Sequence, residues 1–389
     1  VKSVALFLLV ALPIYAAFNS YVLWRLHRAF PAMGWWLLLP AGGLLLLVAG
    51  PLLVPLLARG GWPGTSRAIA LLAHPWLAMV MWFVLLGLTT DAWNLAVRGL
   101  ALRWAELSRL SIPPRVQLTG ICAGVLLLTG WSIWEARRIG LEHLTVTTPR
   151  LPAGSPPIRI ALIADLHLGA LGSSGRAETA IRLLNEAQAD IILSAGDLLD
   201  APVPADNHVA GGFAAIPAPL GKFAVLGNHE FYAGPQQSVQ FLNSAGFDVL
   251  RNRALSVGPI RLAGVDDHAA TRFGTAAVAD EADLLGAGPG RARPPTGSAF
   301  LILLKHRPDV SSGAAGLFDL QLSGHTHGGQ VFPFGWLVRQ QFPMYSGLHR
   351  LEGGALLYVS RGTGTWGPPM RLFARPEVAI ITLVPADVR

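Results

Sequence analysis

The chain has 389 residues, 30 Lys+Arg against 23 Asp+Glu, 52% apolar side chains and a single cysteine, Cys122. That length leaves room for more than one domain, and one cysteine excludes a disulfide framework. The formal charge of +7 is uneven: residues 1–138 hold 11 basic and 3 acidic side chains (+8), the remainder 19 and 20 (−1). Basicity therefore belongs to the first third and not to a nucleic-acid-binding surface, so no nucleic-acid partner is expected.

Four apolar stretches open the chain, at 4–24, 35–57, 68–89 and 118–134, with no Lys, Arg, Asp or Glu in their interiors. Spanning a hydrocarbon layer of about 30 Å takes about 20 apolar residues. Trp24, Trp35, Trp36, Trp93, Trp131 and Trp134 lie near the ends of these stretches or just beyond, the level that tryptophan prefers at a membrane surface. Helices of a soluble domain would carry a charged face; these read instead as four transmembrane helices. The first reads as a span, not a cleaved signal, because only Lys2 precedes it and no clean small-residue cleavage site follows. Asn19 and His74 are the polar residues of note within the spans, and interhelical hydrogen bonding is their expected role. An even number of spans puts both ends of the bundle on one side. The basic third connection, with Arg98, Arg103, Arg109 and Arg115, favours a cytoplasmic loop and an external, periplasmic catalytic domain.

Residues 139–157 are expected to form a linker, ending in a Pro/Gly-rich extended segment. Short apolar runs then recur at 158–164, 191–195, 223–226, 299–304 and 320–323, each read as a buried strand. The Gly/Pro/Ala-rich interval 269–297 interrupts them and is expected to be a surface excursion rimming the site.

Polar fragments follow the runs in order: Asp165-Leu166-His167, Gly196-Asp197-Leu198-Leu199-Asp200, Gly227-Asn228-His229-Glu230, His306 and Gly324-His325-Thr326-His327. Carboxylate, amide oxygen and imidazole, with no thiolate, form a ligand set for divalent metal ions. Placed at the ends of successive strands, these residues converge on one sheet edge.

The ordered set resembles the signature of the calcineurin-like metallophosphoesterases (DxH, GDxxD, GNHE, a single His, GHxH) over 158–383. Gly264-Val265-Asp266-Asp267, His306-Arg307-Pro308-Asp309, Gly328-Gly329-Gln330 and Arg361-Gly362-Thr363-Gly364 are similar to the membrane-associated bacterial branch. The resemblance implies an α/β two-sheet sandwich with α-β-β-α layers over 158–389, preceded by the all-α four-helix transmembrane bundle over 1–138. It also implies two divalent ions (Mn, Fe or Zn), one on Asp165, His167, Asp197 and His327, the other on Asp197, Asn228, His306 and His325. Two neighbouring cations repel, and the shared Asp197 carboxylate offsets that. His229 is the implied catalytic residue, facing the substrate, with Asp200 orienting its ring. Glu230 is expected to be a structural partner, and Asp266, Asp267 and His268 a turn or ligand-supporting cluster. His208, His349 and above all Arg361, beside Gly362 and Gly364, are weaker candidates for the substrate groove.

The function so implied is a membrane-anchored, dinuclear-metal phosphoesterase. Its expected partners are the lipid bilayer and a phosphodiester, pyrophosphate or phosphomonoester that is lipid-linked; the family includes UDP-diacylglucosamine pyrophosphatases. Two alternatives belong to other classes: a membrane receptor or transporter regulated by the phosphoesterase-like domain, and a non-catalytic binding module that has lost its ligands.

Overall fold

The computed structural model describes residues 2–169, 171, 173–204, 207–274, 278–286 and 299–386, with side chains at 2–8 and 59 left aside. The chain divides into two compact units, 1–133 with 367–369 and 134–366 with 370–389.

The first unit is built from α1 (Lys2–Ala29), α2 (Leu38–Arg59), α3 (Pro63–Ala101) and α4 (Pro114–Ala136). All four are long and apolar enough to cross a membrane. Leu38, Leu39, Leu45, Leu46 and Leu56 of α2 face outward, an arrangement that water would penalise and hydrocarbon would not. Small residues let the backbones close up: a Cβ on Gly50 would overlap Ala73. Asn19 joins α1 to α3 by accepting from Trp76 Nε1 (2.9 Å), in keeping with its expected interhelical role. The helices run beyond the apolar stretches, so Arg25 and Asp91, each just outside one, are folded in and paired at 3.0 Å. Arg25 is 2% exposed. It also donates to Tyr21 Oη (2.9 Å), Gln117 Oε1 (2.6 Å), Thr90 Oγ1 (2.9 Å) and the Gly87 carbonyl. Charge-free stretches in the sequence gave no sign of this network.

The second unit holds β1 (Gly140–Thr148), β2 (Ile158–Ile163), β3 (Ile191–Ser194), β4 (Lys222–Ala224), β5 (Asp248–Val249), β6 (Arg253–Val257), β7 (Ile260–Val265), β8 (Phe300–Lys305), β9 (Leu320–Ser323), β10 (Gly347–Arg350), β11 (Leu356–Val359) and β12 (Glu377–Pro385). They form two six-stranded sheets, ordered β1-β12-β2-β3-β4-β5 and β10-β11-β9-β8-β7-β6. Within the first sheet β2 to β5 run parallel, and within the second β7, β8, β9 and β11 do. Both sheets thus send the carboxyl ends of their central strands toward one edge.

Period-two alternation sorts the strand residues. Ile160, Leu162, Leu193, Leu262, Ile302, Leu304 and Leu322 fill the space between the sheets. Ala161, Ile163, Ile192 and Ala224 turn outward onto α5 (Ser173–Ala187), α6 (His208–Ala214) and α8 (Pro235–Ser244), which follows α7 (Asn228–Ala233). Each such leucine or isoleucine contributes about 1.5–3 kcal/mol by leaving water, so Leu193→Asp would open the sandwich. The second sheet's outer face packs on α10 (Glu281–Leu284), preceded by α9 (Ala269–Arg272). A last helix, α11 (Phe334–Gln341), follows β9.

The linker expected over 139–157 is corrected in its front half. Residues Gly140–Thr148 are an edge strand, paired in parallel with β12 from Gly140↔Glu377 to Thr148↔Pro385. Leu144, Val146 and Thr148 alternate inward while their neighbours are exposed, a half-buried pattern that charged and polar residues on the solvent side conceal. Of the excursion expected at 269–297, α9 and α10 are short helices whose first two residues are buried, and 275–277 and 287–298 lie outside the described residues.

Candidate metal centre

Each motif occupies the loop that leaves a central strand. Asp165 and His167 follow β2, Asp197 follows β3, Asn228 begins α7 after β4, His306 follows β8, and His325 and His327 follow β9. The turns are sharp. Asp165, His167, Asp197, His325 and His327 all have positive φ, between 52° and 74°. Non-glycine residues rarely adopt that region, at a cost of order 1–3 kcal/mol each, so the sheets must over-determine these conformations. Tight packing also explains the motif glycines. A Cβ on Gly227 would overlap Asp197 Oδ1, and one on Gly324 would lie 2.5 Å from Asp165 Oδ2.

The seven residues named as ligands come together, and all but the half-buried His325 are buried. His167 Nε2 faces His327 Nε2 at 3.1 Å. His306 Nε2 lies 3.0 Å from Asp197 Oδ2, 3.2 Å from Asn228 Oδ1 and 3.1 Å from His325 Nδ1. Three groups have ligand atoms within 4.8 Å of one another: Asp165, His167 and His327; His167, Asp197 and His229; Asp197, His306 and His325. Asp197 belongs to two of them, the position that a shared carboxylate must hold. His306 Nδ1 is 2.8 Å from the Ala195 carbonyl; donation there leaves Nε2 with its lone pair toward the cluster.

Electrostatics describes a hollow crowded with interacting carboxylates and imidazoles. Burial and neighbouring Asp197 push the Asp165 carboxyl up to about 6. Burial opposes a charged His306, yet Asp197 and Asp165 raise it to about 10. Burial and the charges of His306 and Arg307 lower His325 to about 3, and burial with His167 and Arg371 holds His327 well below its ordinary value. Neutral imidazoles and carboxylates aimed at one point form a donor set that fits divalent cations, which would displace the proton held by His306.

His229 stands beside this cluster. Its Nδ1 lies 2.6 Å from Asp200 Oδ1, and Asp200 Oδ1 is also 3.2 Å from His167 Nδ1. Burial works against the His229 imidazolium, but Asp200 and Asp197 raise its pKa overall. Burial likewise works against the Asp200 anion, and the bonds to His167 and His229 hold its pKa low. Trp366 and Tyr232 set their rings against His229 at 5.8 and 5.3 Å.

The secondary candidates separate clearly. Glu230 is fully buried and accepts from the backbone N–H groups of Asp197 (2.9 Å), Leu199 (2.9 Å) and Gly227 (2.8 Å), which ties two motif loops together. Asp266 pairs with Arg251 and Asp267 with Arg307, at 2.7 and 2.6 Å, and His268 and His208 are exposed. His349 Nε2 is held by the Ser346 carbonyl at 2.9 Å. Arg361 is partly exposed and pairs with Glu377 (2.5 Å) and Glu142 (2.8 Å). Gly362 and Gly364 serve the site differently, since side chains there would strike Asp165 and the Leu166 carbonyl.

Arg371 was not apparent from sequence. It is fully buried and donates to the carbonyls of Gly364, Arg361, Ala374 and His327 at 2.6–3.1 Å. Burial lowers its pKa to about 9 against the pull of Asp165 and Glu377. A lone arginine in a Pro/Gly-rich loop carries no motif that would have marked it.

Strand-end loops that pair a carboxylate-bridged imidazole cluster with a carboxylate-oriented histidine define a metal-dependent phosphoester hydrolase architecture. Residues 158–329 match the family described as Calcineurin-like phosphoesterase. An uncharacterized metallophosphoesterase of Aquifex aeolicus is 38% identical over 260 residues, covering 66% of this chain and 97% of that one. One from Helicobacter pylori is 33% identical over 233 residues (59% and 60%). A transmembrane protein with metallophosphoesterase domain from Danio rerio is 31% identical over 251 residues (61% and 56%). The matched part thus spans less than two thirds of the last two. The chain belongs to the metallophosphoesterase family.

Proposed function

We propose that the protein is a membrane-anchored, two-metal phosphoesterase that hydrolyses a lipid-linked phosphodiester, pyrophosphate or phosphomonoester. The observation that carries this reading is the convergence of Asp165, His167, Asp197, Asn228, His306, His325 and His327 on one hollow, with Asp197 common to two ligand groups. Manganese, iron or zinc suits this oxygen-and-nitrogen set.

Bound there, such ions lower the pKa of a coordinated water from about 15.7 toward about 7 and offset charge on the phosphoryl oxygens. The protein's own part begins with Asp200, which holds His229 by Nδ1 and favours the protonated ring. The Nε2–H is then the donor for the leaving oxygen. Water oxygen bonds to phosphorus and gives up one proton to solvent, the P–O bond to the leaving group breaks, and the His229 proton passes to that group. Trp366 and Tyr232 shelter the imidazole from bulk water.

Four span-length apolar helices support anchoring, and the basic residues between α3 and α4 support a catalytic unit on the external face of a bacterial inner membrane. The test uses detergent-purified full chain, stripped of metal, reloaded with Mn²⁺ and given a soluble aryl phosphodiester and the matching monoester. Metal-dependent turnover that is lost in Asp197→Asn supports hydrolysis, and the diester-to-monoester ratio narrows the substrate. Absence of both bound metal and turnover overturns the reading. The receptor or transporter alternative has one observation in its favour, the pairing of buried Arg25 with half-buried Asp91.

A further inference from the structure

We infer that Phe332, Phe334, Trp336, Leu337 and Phe373 form a face that inserts into the interface of a phospholipid bilayer and brings the rim of the metal centre to phosphate groups at lipid depth. The inference rests on the proposed reading that the four apolar helices cross a membrane.

The face is unusual for a water-exposed surface. Helix α11, Phe-Gly-Trp-Leu-Val-Arg-Gln-Gln, has no buried residue, and its Trp336 and Leu337 are 67% and 55% exposed. Phe332 and Phe373 are exposed too, yet their rings meet at 5.8 Å. Soluble surfaces scatter large apolar residues singly; Phe332 and Phe373 in ring contact, with exposed Trp336 and Leu337 a few residues along the same segment, make a concentration that marks an interaction surface. The face is also held in place. A Cβ on Gly329 would collide with Gly335, so the start of α11 lies directly on the loop after His327. Gln330 exchanges two 2.9 Å hydrogen bonds with the Trp366 backbone, and Phe332 N–H donates to the Leu372 carbonyl at 3.2 Å.

Two observations select a bilayer as the occupant. Glu135, in the last turn of the span-length helix α4, accepts from the backbone N–H groups of Phe373 (3.3 Å) and Ala374 (3.0 Å), and Arg375 donates to the Arg138 carbonyl at 2.9 Å. There Arg138 lies over the Trp134 ring at 4.5 Å, the tryptophan-and-arginine composition of a membrane interface. The segment that bears Phe373 is therefore bonded to residues 135–138, where the chain leaves a candidate span and the second unit begins. Secondly, α11 carries an exposed Arg339 on a short amphipathic turn with Trp, Phe and Leu, the make-up of interfacial helices that lie on anionic lipid. The same face reaches the chemistry from two sides. Trp366 touches His229, and Phe342, just after α11, sets its ring on His325 at 5.4 Å.

The test is site-directed spin labelling of the full chain in nanodiscs of phosphatidylethanolamine and phosphatidylglycerol. In a Cys122→Ser background, labels replace Trp336 and Leu337, with Leu45 of α2 and Arg182 of α5 as controls. Collision with oxygen reports lipid, and collision with a water-soluble nickel chelate reports water. Expected are oxygen-dominated labels at Trp336, Leu337 and Leu45, with loss of nickel broadening, and a nickel-dominated label at Arg182. Lipid contact at Leu45 with water contact at Trp336 and Leu337 would overturn the inference and leave anchoring intact. Water contact at Leu45 as well would overturn both. Shielding of Trp336 from both reagents, with dipolar broadening between labels, would assign the face to a second copy of the chain and overturn the inference.

Discussion

Both units bury charge, and they bury it differently. In the helical unit Arg25 is closed off: Tyr21, Gln117, Thr90, Gly87 and Asp91 engage its guanidinium nitrogens. In the two-sheet unit the polar groups oppose one another. Imidazole nitrogens of His167 and His327 stand 3.1 Å apart, as do those of His306 and His325. Burial first, and then the charge of Asp197 across the same hollow, raise the pKa of Asp165. A buried network whose members satisfy each other is a brace. A buried set whose lone pairs face one point is a binding site, and its ligand must be a cation.

The strongest way to break this contrast is Asp197→Asn. With the shared carboxylate gone, metal content by atomic emission should fall and turnover of the aryl phosphodiester should drop to background; retained metal and rate would show that the site does not depend on a carboxylate shared at Asp197. His229→Ala should keep the metals yet cost about 10²–10⁴ in kcat, the range for losing a general acid.

Asp200→Asn sharpens the same point through pH. Because Asp200 and Asp197 raise the His229 pKa despite burial, the basic limb of the wild-type rate profile should lie above the ordinary histidine value of about 6.5. The variant should move that limb to lower pH. The pair's contribution to stability follows the same signs. It is lost on acidification as Asp200 takes a proton at its lowered pKa, and lost on alkalinisation as His229 gives one up at its raised pKa. A limb that stays in place would mean that Asp200 does not govern the histidine.

Arg371→Leu strips donors from the carbonyls of Gly364, Arg361, Ala374 and His327. A loss of about 3 kcal/mol is expected in denaturant unfolding of the solubilised chain, and Arg371→Lys should not restore it, since an ammonium cannot reach carbonyls on several sides. The smallest effect belongs to the helices. Asp91→Asn should weaken the bundle by about 1 kcal/mol and leave turnover of the soluble ester unchanged. A collapse of turnover would couple the two regions and favour the receptor or transporter reading.

Much of the metal centre was legible because its information is local. An apolar run that ends in Asp-x-His or Gly-Asp predicts a strand and the loop that leaves it, and the structure brings all seven such residues together. The four apolar helices were legible for a similar reason, since hydropathy over 20 residues depends on no distant partner. What remained hidden depends on pairing at long range. β1 is a strand only because β12, more than 200 residues on, lies beside it. Arg361 looked available for substrate until Glu142 and Glu377 were seen to hold it. Arg371, the Arg25 network and the meeting of exposed Phe332 with Phe373 are likewise products of packing. Residue types and their local order determined the chemistry and the run of strands and helices; which charges are satisfied, which are left facing a hollow and which apolar residues stay outside was decided by the tertiary structure, because burial and partnership are properties of segments that sequence order keeps apart.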